Sequence, residues 1–151
     1  MRIRAYGAPL GLRDNKLWAF LLVDMMDTPA DWVLTSAGDD VQLTYRISGA
    51  VLAVPSTESF TQATVAAPGA VNSRWTLRQI DKEILTHRAV TTVTESGWYC
   101  LELAGTGQYL GRNKMEDPSL LPKKVLLLPR GTEPPRLIVE VIKVANPALN
   151  K

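Results

Sequence analysis

The stretch "GRNKMEDPSLLPKKVLLLP", residues 111–129, concentrates the most unusual side-chain chemistry of this 151-residue chain. Arg112 and Lys114 stand on one side of an acidic pair, Glu116 and Asp117, and Lys123 and Lys124 on the other, with Pro118 and Pro122 between. Each proline fixes φ and removes an N–H donor, and Asp117 and Ser119 are short enough to bond nearby backbone. Leu120 and Leu121 offer apolar anchors for the loop. The residues predict a stiff, exposed and partly extended loop of about eleven residues, where such a length would ordinarily be floppy.

A loop held in shape before binding loses little entropy on entering another protein's groove, which is how substrate-like protease inhibitors gain affinity. Arg112, Asn113, Lys114 and Met115 are the candidate protease-binding residues. A basic side chain among them suits a trypsin-like pocket with a carboxylate at its base. The competing reading is a loop that braces the body of the protein, with "EDPSLLPK" as its staple.

Other chemistry has less to work with, because catalysis needs an acid/base pair, an activated nucleophile or a metal whose partners converge in space. Asp39 and Asp40 sit in "SAGDDVQ", which reads as a turn before a strand, and Glu116 and Asp117 among lysines read as solvated loop ion pairs. Cys100 is the single cysteine and His87 the single histidine, so no disulfide framework or Cys/His metal set is expected. Cys100 reads as a small buried hydrophobe in "WYCLEL"; a catalytic thiol would need His87 beside it. The glycines of "ELAGTGQYLG" link two strands with no helix N-terminus following, so a hairpin turn explains them better than a phosphate cradle. The expectation is a non-enzyme with no catalytic residue, no metal and no cofactor.

The elements that must carry this loop read almost entirely as strands. β-branched and aromatic residues alternate with polar ones over short runs punctuated by Gly, Pro, Asn or Asp, and no segment has a helical period. Twelve strands are expected, at 2–6, 9–12, 17–23, 31–36, 43–48, 50–54, 61–66, 74–80, 97–103, 108–112, 124–129 and 136–142. "YRISGAVLAV" and "YCLELAGTGQYLG" are each a strand, a glycine turn and a second strand, and "IRAYGAPLGL" is a shorter version. Each hairpin leads to a loop, an apolar strand and a strand of the form "DWVLTS", "RWTLRQI" or "RLIVEVI".

Three four-strand units are too few to close a propeller, which takes about four to eight blades, and they fit a β-trefoil. One all-β domain spanning 1–151 is the result. Trp32, Trp75 and Leu137 or Ile138 should point into one shared core. Segment 81–96, "DKEILTHRAVTTVTES", repeats nothing in the first unit and reads as a linker, although "EILTHRAV" could form a helical turn or an extra strand. Sugar binding is the alternative function for such a fold, yet a Gln-x-Trp repeat is missing: Ala30 and Ser73 stand two before Trp32 and Trp75.

Composition sets the remaining bounds. With 46% hydrophobic and 21% charged residues the chain matches one globular domain with a substantial core. The net charge of +2 is spread over both halves and leaves no electrostatic footprint for nucleic acid. "LWAFLLV" and "KVLLLP" fall far short of the roughly 20 residues that cross a bilayer, and "MRIRAYGAPLG" lacks the apolar segment of a secretory signal. A cytosolic monomer without a membrane partner is the expectation.

The stretch "GWYCLEL...QYLGRNKMEDPSLLPKKVLLLPRGTEPPRLIVEVI" resembles the opening part of the mushroom β-trefoil serine-protease inhibitors, the cospin and cnispin family. The resemblance runs through Gly97 and Tyr99, then Leu110, Gly111, Arg112 and Asn113, Glu116 and Asp117, Ser119 and Leu120, Pro122 and Lys123. Residues 1 to 80 look like the remainder of that fungal family, with "ADWVLTS", "YRI", "TQATVAAPG" and "RWTLRQI" in the expected order. The family's beginning stands last here, so the sequence reads as circularly permuted, or cut from a tandem pair. The new ends, "NPALNK" and "MRIRAYG", would then fall between strands 136–142 and 2–6, where a trefoil tolerates a break. The resemblance implies inhibition of trypsin-like serine proteases through one surface loop. Two loops match: the one after "YLGR", and "AAPGAVNSR" at 66–74, in which Asn72 and Arg74 are the alternative candidates. Related mushroom trefoils that block cysteine proteases add papain-like enzymes as a third class of partner.

Overall fold

The computed structural model describes residues 1–26 and 29–141, so "NPALNK" lies outside the described residues. These residues form an all-β structure of thirteen strands, with one 3-10 turn at Val23–Met25 and no α-helix. The strands are β1 (Arg2–Ala5), β2 (Ala8–Arg13), β3 (Lys16–Ala19), β4 (Trp32–Ala37), β5 (Asp40–Tyr45), β6 (Val51–Ala53), β7 (Thr64–Ala66), β8 (Trp75–Ile80), β9 (His87–Val90), β10 (Gly97–Leu103), β11 (Gln108–Arg112), β12 (Lys123–Leu127) and β13 (Leu137–Glu140).

Antiparallel pairing runs in a circuit. β10 pairs with β13, β13 with β1, β4 with β5, β5 with β8, and β8 with β10 again. The step from β1 to β4 is made by Met1 and Trp32, whose backbone nitrogens each donate to the other's carbonyl at 2.7 and 2.8 Å. A circuit of this kind leaves its own strands paired on both sides, and β9, paired with β8 alone, forms an edge. At one end, the pairs β2–β3, β6–β7 and β11–β12 join one another, through Lys16↔Thr64, Lys123↔Ala19 and the bridge Gln62↔Leu126.

The core fills the circuit. Trp32, Trp75 and Leu137 are buried in it together, while Ile138 on the opposite face of β13 is only half-buried, as the period of two along a strand requires. The Trp75 indole N–H donates to the Leu52 carbonyl at 3.1 Å. Cys100 is fully buried, as expected from its strand.

Three expectations need correction. The thirteenth strand, β9, lies inside the supposed linker 81–96 and pairs with β8 from Leu77↔Val90 to Ile80↔His87. The apolar run 17–23 stops being a strand at Ala19, because Met25 N donates back to the Leu22 carbonyl and turns the chain. The strand expected at 43–48 occupies Asp40–Tyr45, because the tight turn at Gly38 (φ +66°) and Asp39 lets β4 and β5 pair as far as Ala37↔Asp40.

Candidate functional site

The loop from Asn113 to Pro122 leaves the end of β11 and returns to β12, and both strands sit firmly in the core. Gly111 explains how tightly: a Cβ there would lie 2.7 Å from Pro135 Cγ and 3.0 Å from Leu128 Cδ1, so only glycine fits.

Two cations pin the loop, one at each end. Arg112 is buried, and its Nε and NH2 donate to the two Glu116 carboxylate oxygens at 3.0 and 2.7 Å while NH1 donates to the Ala5 carbonyl at 3.0 Å. Its guanidinium also lies 5.6 Å from the Tyr6 ring centroid. Lys123 is buried as well, and its Nζ donates to Asp117 O at 2.9 Å, Asp117 Oδ1 at 2.9 Å and Ser119 Oγ at 3.2 Å. Such charge-assisted bonds are about twice as strong as neutral ones and fix geometry as well as energy.

Within the loop, short side chains bond the backbone two residues on, as expected of Asp117 and Ser119. Asn113 Oδ1 accepts from Met115 N at 3.0 Å, Asp117 Oδ1 from Ser119 N at 2.8 Å, and Ser119 Oγ from Leu121 N at 3.3 Å. Hydrogen bonds from Ser119 and from Lys123 hold the Asp117 carboxyl well below the usual carboxylate range.

Arg112 and Lys123 thus add supports that the sequence did not suggest, and three of the named side chains face the wrong way. Arg112 does not point outward, because its charge is consumed by Glu116 and the Ala5 carbonyl. Leu120 and Leu121 do not anchor the loop, being about 60% exposed each. Nor is the apex extended: residues 113–116 fold as a tight turn around Lys114 and Met115. What the turn offers to a partner is the exposed Lys114 ammonium and the Met115 side chain, which is 87% exposed. Below them a cleft of about 290 Å³ is floored by Trp18, Lys123 and Leu126.

The second candidate loop is built differently. Asn72 adopts a positive φ of 57° and donates from Nδ2 to the Val54 carbonyl at 3.3 Å, while its own carbonyl accepts from Val54 N at 3.2 Å. That work is structural. Arg74 is exposed at the edge of β8, and its carbonyl accepts from Ala104 N at 3.1 Å. The buried Ser73 hydroxyl donates to the Ala70 carbonyl at 2.7 Å, and Val71, 84% exposed, is the outermost apolar residue of the loop.

Nothing resembling a catalytic constellation accompanies either loop. Among the described residues no group of three His, Cys, Asp or Glu could hold a metal ion. Cys100 lies on β10 opposite Arg78 of β8, and burial pushes its thiol up to about 11, far from a reactive thiolate. His87 is exposed on β9. No helix of the described residues is long and apolar enough to cross a membrane.

No family model and no curated protein sequence matches the chain. Among solved structures it is similar to the crystal structure of a designed three-fold symmetric protein, ThreeFoil, with a TM-score of 0.62 and 18% identity, covering 93% of this chain and 97% of that one. At that identity the likeness concerns the backbone arrangement alone, and it defines the class: a β-trefoil-like all-β fold.

Proposed function

We propose that the protein is a β-trefoil of three four-strand units, with β9 added, that acts as a reversible protein inhibitor of trypsin-like serine proteases through the loop 113–122. One observation carries this reading: buried Arg112 and Lys123 hold the loop from both ends, so exposed Lys114 is presented on a prearranged backbone. A partner then gains the contact without the entropy cost of ordering the loop, and a lysine fits a pocket closed by a carboxylate. Of the residues first considered, Lys114 with Met115 forms the contact, Asn113 shapes the turn, and Arg112 supports it from inside. The circularly permuted relation to the mushroom inhibitors remains part of this proposal; the antiparallel pairing of β13 with β1 is compatible with it.

Titration of trypsin with the protein tests this reading, with papain as a parallel arm. Inhibition of trypsin is expected, and Lys114→Ala should weaken it about thirtyfold, corresponding to about 2 kcal/mol at a central contact. Asn72→Ala and Arg74→Ala should leave it unchanged. Trypsin activity undisturbed by the parent protein, or inhibition undiminished by Lys114→Ala, refutes the assignment to this loop; inhibition of papain alone moves the partner to cysteine proteases.

A further inference from the structure

The segment 81–96 does more than join β8 to β10. With the end of β8 it borders a cleft of about 670 Å³, lined by Gln79, Arg88, Glu95, Ser96 and Trp98 among others. The wall is shaped by a closed turn at 81–86: Asp81 N donates to Thr86 O at 3.0 Å, Leu85 N to Asp81 O at 2.8 Å, and Asp81 Oδ1 accepts from Glu83 N and Ile84 N. Leu85 is held at φ +56°, a costly conformation for a branched side chain that persists only where its surroundings impose it.

Inside the cleft the polar groups are already oriented. Arg88 NH2 donates to Gln79 Oε1 at 2.7 Å, and Gln79 Nε2 donates to Glu95 Oε1 at 2.9 Å. The Tyr99 hydroxyl fixes the backbone beneath by donating to the Glu95 carbonyl at 2.9 Å. Donors and acceptors thus alternate along one wall, with a second Gln79 amide hydrogen and the other Glu95 oxygen left for a ligand. Half-buried Trp98 provides the one aromatic surface, with Lys82 Nζ 5.2 Å and Arg136 Cζ 4.9 Å from its ring centroid. Lining charges are mixed, Lys82 and Arg88 against Asp81, Glu83 and Glu95, which disfavours a strongly anionic or cationic ligand.

We propose that this cleft is a binding site for a neutral saccharide, whose hydroxyls would meet the Arg88–Gln79–Glu95 chain while the C–H face of the ring packs on Trp98. The chemistry follows from the lining: a sugar ring is the ligand that needs alternating donors and acceptors on one side and an aromatic surface on the other. Lys82, exposed at the mouth, lies over that ring, so a sugar packed there would displace its ammonium. The site is separate from the loop 113–122 and shares no residue with it.

The test is a glycan array probed with the labelled protein, followed by titration of the best neutral oligosaccharide into Trp98→Ala, Gln79→Ala and Lys82→Ala variants. Binding is expected to fall at least tenfold with Trp98→Ala and with Gln79→Ala, and to persist with Lys82→Ala. Thermal unfolding of each variant reports whether it is folded, and Gln79→Ala, a truncation at a half-buried position between β9 and β10, carries the test if Trp98→Ala is not. An array without neutral-glycan binding, or affinity unaltered by the folded Gln79→Ala variant, overturns the proposal. Trypsin inhibition by these variants should equal that of the parent, so this site and the inhibitory loop fail or hold independently.

Discussion

Arg112→Ala should cost far more stability than a loop substitution normally does, and the size of the loss follows from the geometry. Arg112 and Glu116 have side chains only 8% and 18% exposed, and they share two hydrogen bonds of 3.0 and 2.7 Å. Truncation removes both, takes the Arg112 donor from the Ala5 carbonyl, and leaves a carboxylate in a largely desolvated position. Removing one member of a buried pair typically costs about 3–5 kcal/mol, mostly from the charge left behind. Glu116 keeps some contact with water and can turn outward, which places the expected loss at the lower end, about 3 kcal/mol. For a domain of this size that is a fall in Tm of about 6–12 °C. Urea unfolding of the parent, Arg112→Ala, Glu116→Ala and the double variant measures it, and the double variant should be less destabilised than the sum of the singles by at least about 1 kcal/mol. Arg112→Lys should recover little, because a lysine cannot span both oxygens and the carbonyl. Lys114→Ala, on the exposed apex, should stay within about 0.5 kcal/mol of the parent. An Arg112→Ala loss below about 0.5 kcal/mol would refute the claim that this guanidinium props the loop from inside.

The opposite end of the loop should respond to acid in a defined direction. Because the folded pKa of Asp117 is lowered, its contribution is complete above the ordinary carboxylate value and disappears only as pH falls through the depressed one. NMR titration of the Asp117 carboxyl should therefore show a midpoint below the ordinary value of about 3.9, shifted back towards it in Lys123→Met; an ordinary midpoint in the parent would contradict the staple. Cys100, buried with its thiol pushed up to about 11, should ignore a disulfide reagent at mildly alkaline pH in the native protein and react in guanidinium chloride. Rapid native labelling would mean that β10 opens locally far more readily than a central strand should.

Much of the architecture was legible because strands and hairpins leave local marks. Tyr6–Gly7 and Gly105 to Gly107 sit where β1–β2 and β10–β11 turn, with positive φ at each glycine, and the tryptophans at the starts of β4 and β8 face the core as their alternation demands. β9 was visible only as one of two options, since "EILTHRAV" has no apolar face of its own and becomes a strand by pairing with β8. At the candidate site the pattern of Arg, Asn, Lys, Glu, Asp and Pro announced a constrained loop, but polarity alone suggested that every cation faced water. The i, i+4 spacing of Arg112 and Glu116 was the available hint that one did not.

By itself, then, the sequence determined the period-two strands, the glycine turns between them and the presence of a self-bonding loop, because each depends on residues a few positions apart. Only the tertiary structure decided which charges that loop spends on itself. The partner that buries Arg112 is the Ala5 carbonyl, 107 residues away in the chain, and Lys123 is buried at the β12–β3 pairing, where it meets Ala19. Whether a cation is a contact or a support depends on the distant backbone folded against it, and no local pattern of residues carries that information.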